Sequence, residues 1–215
     1  TKTHPKKLLG IAVTASLATN YSKKGDHKFF IAIQTHKYSH SFSYQFTKGE
    51  LSRDQEEAIV TKYIIDALSG ACGINEGVQD QTPNLRIEKV KAEKSWIKLV
   101  DGKIEFISSS NQIPELIFPG SFNPLHSGHA EMSELAEKKT GLSPAYEICI
   151  QNADKPPLSY HEIQRTVLQF SQSYDWVLTK AGKFSDKAKL FPNSVFIIGA
   201  DTLTRMLDEK FYLNR

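Results

Sequence analysis

The sequence predicts an α/β protein: a parallel-sheet domain in the second half, preceded by a smaller, incomplete α/β domain. Three observations lead there. From Leu116 onward, short apolar runs of strand length alternate with stretches of helical periodicity, and that rhythm builds a parallel sheet covered by helices. Residues 8–72 hold strand-like and helix-like segments of their own, separated from the second half by a polar stretch. The 215 residues are 40% hydrophobic and 24% charged, enough to bury a core in one large domain or two modest ones.

In chain order, Leu8-Leu9-Gly10-Ile11-Ala12-Val13 is an apolar run of strand length ending in Thr14-Ala15-Ser16. Lys24-Gly25-Asp26-His27 reads as a turn, and Lys28 to Gln34 has the aromatic and β-branched character of a strand. Ser41 to Phe46 alternates, with Phe42, Tyr44 and Phe46 on one face. Ser52 and Gln55 have capping-box spacing. They open a helix whose stripe is Ile59, Tyr63, Ile64 and Ala67, and Gly70 can close it. Residues 73–93 are polar and turn-rich and read as a loop or linker. Trp96–Val100 and Lys103–Ile107 flank Asp101-Gly102, the two-residue signal of a hairpin. The expected division is therefore a domain over 1–75, a linker with a hairpin over 76–114, and a second domain over 115–215.

In that second domain Leu116–Pro119 is the first strand. Ser127 to Lys139 is a helix with Gly141 as its stop. Tyr146–Gln151, Trp176–Thr179 and Val195–Gly199 are further strands, and helices are expected over Ser159–Phe170 and from Asp201 to Lys210. Ligands of such sheets gather at the carboxyl ends of the strands.

The net charge of +3 suits anionic small molecules and lacks the concentrated Lys and Arg of a nucleic-acid footprint. Cys72 and Cys149 lie far apart, outside any metal-ligand pattern, and read as reduced, buried thiols. No apolar stretch is long enough to span a bilayer and no signal peptide opens the chain, so no membrane partner and a cytoplasmic location are expected. Homo-oligomers remain open. The chain starts at Thr1 and ends at Arg215 just after an apparent helix, and it is read as a piece of a longer protein.

The chemistry concentrates in Gly120-Ser121-Phe122-Asn123-Pro124-Leu125-His126-Ser127-Gly128-His129, between the first strand and the first helix of the second domain. A helix start presents unpaired N–H groups and a positive dipole end to anions. Gly120 allows a phosphate close to the backbone, and Asn123-Pro124 turns the chain into the helix. His126 and His129 are spaced to project from one face, where imidazoles donate to phosphate oxygens. With each residue type near one in twenty, Gly, Phe, Pro, His, Gly and His in this frame arise by chance on the order of 10⁻⁸ per starting position. His36 and His40 lie in a strand-like stretch and are read as structural.

This loop resembles the signature of the HxGH nucleotidyltransferase superfamily, which includes pyridine mononucleotide adenylyltransferases, phosphopantetheine adenylyltransferase and cytidylyltransferases. The resemblance covers about residues 115–210. It implies a Rossmann-like domain that joins a nucleoside triphosphate, ATP or CTP, to the phosphate of a small-molecule acceptor. Pyrophosphate is released, with Mg²⁺ bound mainly through substrate phosphates and no metal site of the protein's own. The acceptor phosphate attacks the α-phosphorus itself, so the protein orients and neutralises charge. His126 and His129 are then the catalytic pair, while Gly120, Ser121, Phe122, Asn123 and Gly128 cradle the nucleotide.

Val195-Phe196-Ile197-Ile198-Gly199-Ala200-Asp201 resembles the matching strand end of nicotinate or nicotinamide mononucleotide adenylyltransferases. That implies close nucleotide approach at Gly199 and ribose binding by Asp201, which also suits a helix N-cap. Lys155 could meet a phosphate, and Arg165 reads as a surface salt bridge. The family's second phosphate-binding signature, of Ser/Thr-Ser/Thr-x-x-Arg type, does not follow Asp201 and is expected beyond Arg215. Gly10 to Ser16, the strand through Phe29 to Thr35 and the Arg53-containing helix resemble the later part of the CinA C-terminal domain, a nicotinamide mononucleotide deamidase family. That family's upstream catalytic loop has no counterpart here, and the likeness points to a pyridine nucleotide as acceptor. The rival expectations are cytidylyl or adenylyl transfer to another phosphorylated acceptor, and a nucleotide-binding protein without turnover.

Overall fold

The computed structural model of the protein describes residues 8–21, 23–79, 82–151, 156–170 and 173–207. The chain divides into two compact units, Thr1–Glu93 with Ser159–His161, and Lys94–Leu158 with Glu162–Arg215.

In the first unit β1 (Leu9–Ser16), β2 (Lys28–Thr35), β3 (Tyr38–Gln45) and β4 (Leu85–Lys91) form one sheet in that order. Every pairing is antiparallel, so this smaller α/β unit is a meander with a helix. Alternation sorts the residues. Phe29, Ile31 and Ile33 of β2 and Phe42 of β3 turn inward with Phe46, against Val60, Tyr63 and Ala67 of α1 (Arg53–Ala71). The Phe29 ring stacks on Tyr44 at 5.4 Å and tilts against Tyr63 at 5.3 Å. The Ser52–Gln55 capping box is present at the start of α1. The carboxylate of Glu56, fully buried, meets His27 Nδ1 at 2.7 Å and accepts the Ala18 N–H at 2.6 Å, which ties the chain after β1 to α1.

Four sequence expectations change. Gly70 does not end α1, which runs on to a cap at Cys72. Gly70 instead packs on Gly77, whose Cα would lie 2.5 Å from an added Cβ. Residues 85–91 are β4, an edge strand whose charges face solvent along most of its length; a charged edge guards against stray pairing and hides the strand's periodicity. Asp101-Gly102 turns no hairpin. Residues 94–100 are a helix, α2 (Lys94–Val100), and Gly102 at φ +69° ends it as Lys103 N–H donates to Lys98 C=O at 2.8 Å. Helix stops and tight hairpins both ask for a left-handed glycine. The thiols are free, but Cys72 is exposed and Cys149 only half-buried.

The second unit holds β5 (Phe106–Ser108), β6 (Leu116–Pro119), α3 (Ser127–Thr140), β7 (Pro144–Cys149), α4 (Tyr160–Leu168), whose first turn groups with the other unit, β8 (Asp175–Thr179), α5 (Phe184–Leu190), β9 (Val195–Phe196) and α6 (Ala200–Leu207). Its sheet runs β5-β8-β7-β6-β9. The β6, β7, β8 and β9 strands are parallel, and β5 joins β8 antiparallel. This is a Rossmann-like arrangement. Ile117, Ala145, Val177 and Phe191 centre one core cluster. Phe118, Tyr146 and Phe170 surround Phe122 at 5.1 to 5.6 Å. Gly141, at φ +71°, caps α3 as expected. Among the described residues no helix is long and apolar enough to cross a membrane.

Candidate functional site

The loop from Gly120 to His129 joins the end of β6 to the start of α3. Gly120 N–H donates to the Glu147 C=O of β7 at 3.0 Å, which anchors the loop's first residue to the sheet. Phe122 takes φ +42° and is 1% exposed. Its ring lies where a Gly120 Cβ would stand, at 2.5 to 2.9 Å. The glycine is therefore required by the folded loop itself, before any ligand arrives. Gln169 clamps the far side of the loop: its Nε2 donates to Phe122 C=O at 3.0 Å and its Oε1 accepts the Leu125 N–H at 2.8 Å.

His126 and His129 come together as their spacing suggests. Their rings stack with centroids 3.7 Å apart. The His126 N–H points to His129 Nδ1 at 3.4 Å, which leaves the proton of a neutral His129 on Nε2. Burial, and then the neighbouring His126, push His129 below the ordinary imidazole range. At neutral pH it therefore meets an anion as a neutral N–H donor. The edge of Phe122 supports His129 at 5.0 Å. Gly128 makes room for the pair, since a Cβ there would sit 3.3 Å from His126 Nδ1.

Beside the loop, a cavity of about 560 Å³ opens at the carboxyl ends of the parallel strands. Pro119 and Gly120 close β6 there, and Glu147, Ile148 and Cys149 close β7. Ser121 and Asn123 come from the loop. The two histidines do not line this cavity, nor do Phe122, Gly128, Gly199 or Asp201. Phe122 and Gly128 act on the loop's shape. Gly199 gives its space to Asp201, whose Oδ1 would lie 3.2 Å from an added Cβ, and Thr202 carries this turn to the cavity wall. Lys155 lies outside the described residues.

Sequence reasoning missed a buried polar group under the cavity. Glu147, in the middle of an apolar strand, is fully buried. Its Oε2 accepts from Lys187 Nζ at 2.6 Å and its Oε1 accepts from the Thr179 hydroxyl. A charged residue between Tyr146 and Ile148 was the available signal. Burial raises the Cys149 thiol on the same wall above its ordinary value. Arg165 lines the cavity and directs Nη2 at Asn123 Oδ1, 3.4 Å away. The surface salt bridge expected for it does not form among the described residues.

Comparison with known proteins adds to this geometry. No curated protein and no solved structure matches the chain significantly. Residues 117–213 match the family model described as cytidylyltransferase-like, and the second unit thus carries a cytidylyltransferase-like domain of nucleotidyltransferase type.

Proposed function

We propose that the protein transfers an adenylyl group from ATP to nicotinate or nicotinamide mononucleotide. An oxygen of the acceptor phosphate attacks the α-phosphorus, the new phosphoanhydride bond forms, and the α–β bridging bond breaks to release pyrophosphate. The observation that carries this reading is the stacked His126–His129 pair at the start of α3, next to a strand-end cavity edged by Gly120, Ser121 and Asn123. The two imidazoles donate to the triphosphate and stabilise the departing charge, while the loop's backbone holds the reacting phosphates in line. Asp201, at the first turn of α6, takes ribose hydroxyls. A magnesium ion accompanying the triphosphate would be carried mainly on its phosphate oxygens and would neutralise their charge. The choice of a pyridine nucleotide rests on the resemblance of the Gly199–Asp201 turn to the matching strand end of the pyridine mononucleotide adenylyltransferases.

The cytidylyltransferase-like description of the matching family favours a second reading, cytidylyl transfer from CTP to another phosphorylated acceptor. Pyrophosphate release measured with ATP and with CTP, against both mononucleotides and a panel of phosphorylated alcohols, separates the two. Release only with ATP and a pyridine mononucleotide is expected. Release only with CTP and a phosphorylated alcohol would replace the first reading by the second.

A further inference from the structure

In the first unit the two edges of the sheet differ in kind. One edge belongs to β4, which carries Arg86, Glu88, Lys89 and Lys91, and charges of this sort keep an edge from pairing. The other belongs to β1, Leu9-Gly10-Ile11-Ala12-Val13-Thr14-Ala15-Ser16, a strand of eight residues with no charge and no proline. β1 pairs with β2 along its whole length, and among the described residues no strand lies on its far side. The outward N–H and C=O groups of such an edge are a template for another strand. Lys23 closes its C-terminal end, where Nζ donates to Ser16 Oγ at 2.9 Å and to Leu17 C=O. Across the ladder Ile11 stands opposite Ile33 and Val13 opposite Ile31, so both turn to the face that packs on α1. Yet Ile11 and Val13 stay 39% and 38% exposed. They form an apolar row left open at the edge of the sheet.

We propose that β1 is the contact surface for a second copy of this chain, joined antiparallel about a two-fold axis. The two copies share one continuous sheet in the order β4-β3-β2-β1-β1-β2-β3-β4. Two properties of the strand fit it to its own copy. Because β1 is uncharged, meeting the same segment reversed brings no like charges together. Its side chains also match by face, since residues directly opposite in an antiparallel pair project to the same side. With Ala12 on the axis, Ile11 stands opposite Val13 of the second copy, Gly10 opposite Thr14, and Leu9 opposite Ala15. This register gathers the exposed Ile11 and Val13 of both copies into one β-branched patch on the α1 side. The other side receives only glycine, alanine and threonine, and the pairing stops short of Ser16, where Lys23 sits. An isologous contact of this kind uses both β1 edges and closes at two copies. The charged β4 edges are left at the outside.

The test is sedimentation velocity on the full chain in a concentration series, paired with hydrogen exchange resolved by peptide. The expected result is a reversible equilibrium whose average mass climbs toward twice that of the chain and no further. Amide protection over Leu9–Ala15 should rise with concentration while that of β4 stays constant. Ala12→Lys sets two ammonium groups against each other on the axis and should weaken association about tenfold or more. Glu88→Lys, which adds a lysine to the opposite edge, should leave association unchanged, and circular dichroism melts show whether each variant folds. Exchange on the unaltered chain decides the question even where a variant does not fold. A monomer at every concentration, or species that grow beyond two copies, would overturn the proposal. So would protection that rises only outside β1, or a dimer indifferent to a folded Ala12→Lys variant.

Discussion

Gly120 carries two demands at once. The sequence suggested that it lets a phosphate approach the backbone, and the fold adds that the Phe122 ring occupies the space a methyl group would need. Gly120→Ala should therefore destabilise the protein by about 1–3 kcal/mol, the range for overpacking a filled site, as read by denaturant unfolding. Unchanged stability would mean that the ring moves aside freely. Other residues of the loop were legible because their spacing fixes them: a helix start brings positions 126 and 129 together whatever surrounds them, and they stack. What spacing does not encode is the cavity. Its walls come from segments far apart in the chain, so Arg165 read as a surface residue and Glu147 drew no notice.

At the level of elements, the Lys187–Glu147 pair joins α5 to β7 beneath the cavity, with side chains 6% and 1% exposed. Breaking such a pair leaves a buried charge uncompensated, whereas replacing both partners does not. Lys187→Met is expected to cost about 3–5 kcal/mol, and Glu147→Met in the same chain should recover most of it. Equal losses for the single and double variants would show that the ammonium's packing matters more than its charge. Elements whose signal is local were read well. The Ser52 capping box and the Gly141 stop are where the sequence put them. Elements that depend on a distant partner were not: β4 pairs with β3, and β5 pairs with β8 across more than sixty residues. In both cases local composition pointed to a loop or a hairpin instead.

Across the whole molecule the two units respond to different chemistry. In the first, burial, then Lys89 and His161, lower His40 to about 4. An unfolded histidine titrates near 6.5, so between roughly pH 4 and 6.5 the unfolded chain binds the extra proton. Stability from this residue is fully present above pH 6.5 and is lost as pH falls through that window. Thermal unfolding followed from pH 4 to 7 should show this acid limb, and His40→Gln should flatten it; an identical limb in the variant would place its origin elsewhere. The parallel order of the second unit was legible from its strand-helix rhythm, while the antiparallel meander of the first was not, because antiparallel strands and a single helix leave a similar alternation in the sequence.

The most direct measurement is the rate at which the full chain releases pyrophosphate from ATP in the presence of nicotinate or nicotinamide mononucleotide, set beside His126→Ala and His129→Ala. Turnover by the unaltered protein, reduced about 10²–10³-fold in either variant, is the expected result, on the scale of a lost transition-state donor. Rates within threefold of the unaltered protein in both variants would contradict the role given to the stacked imidazoles.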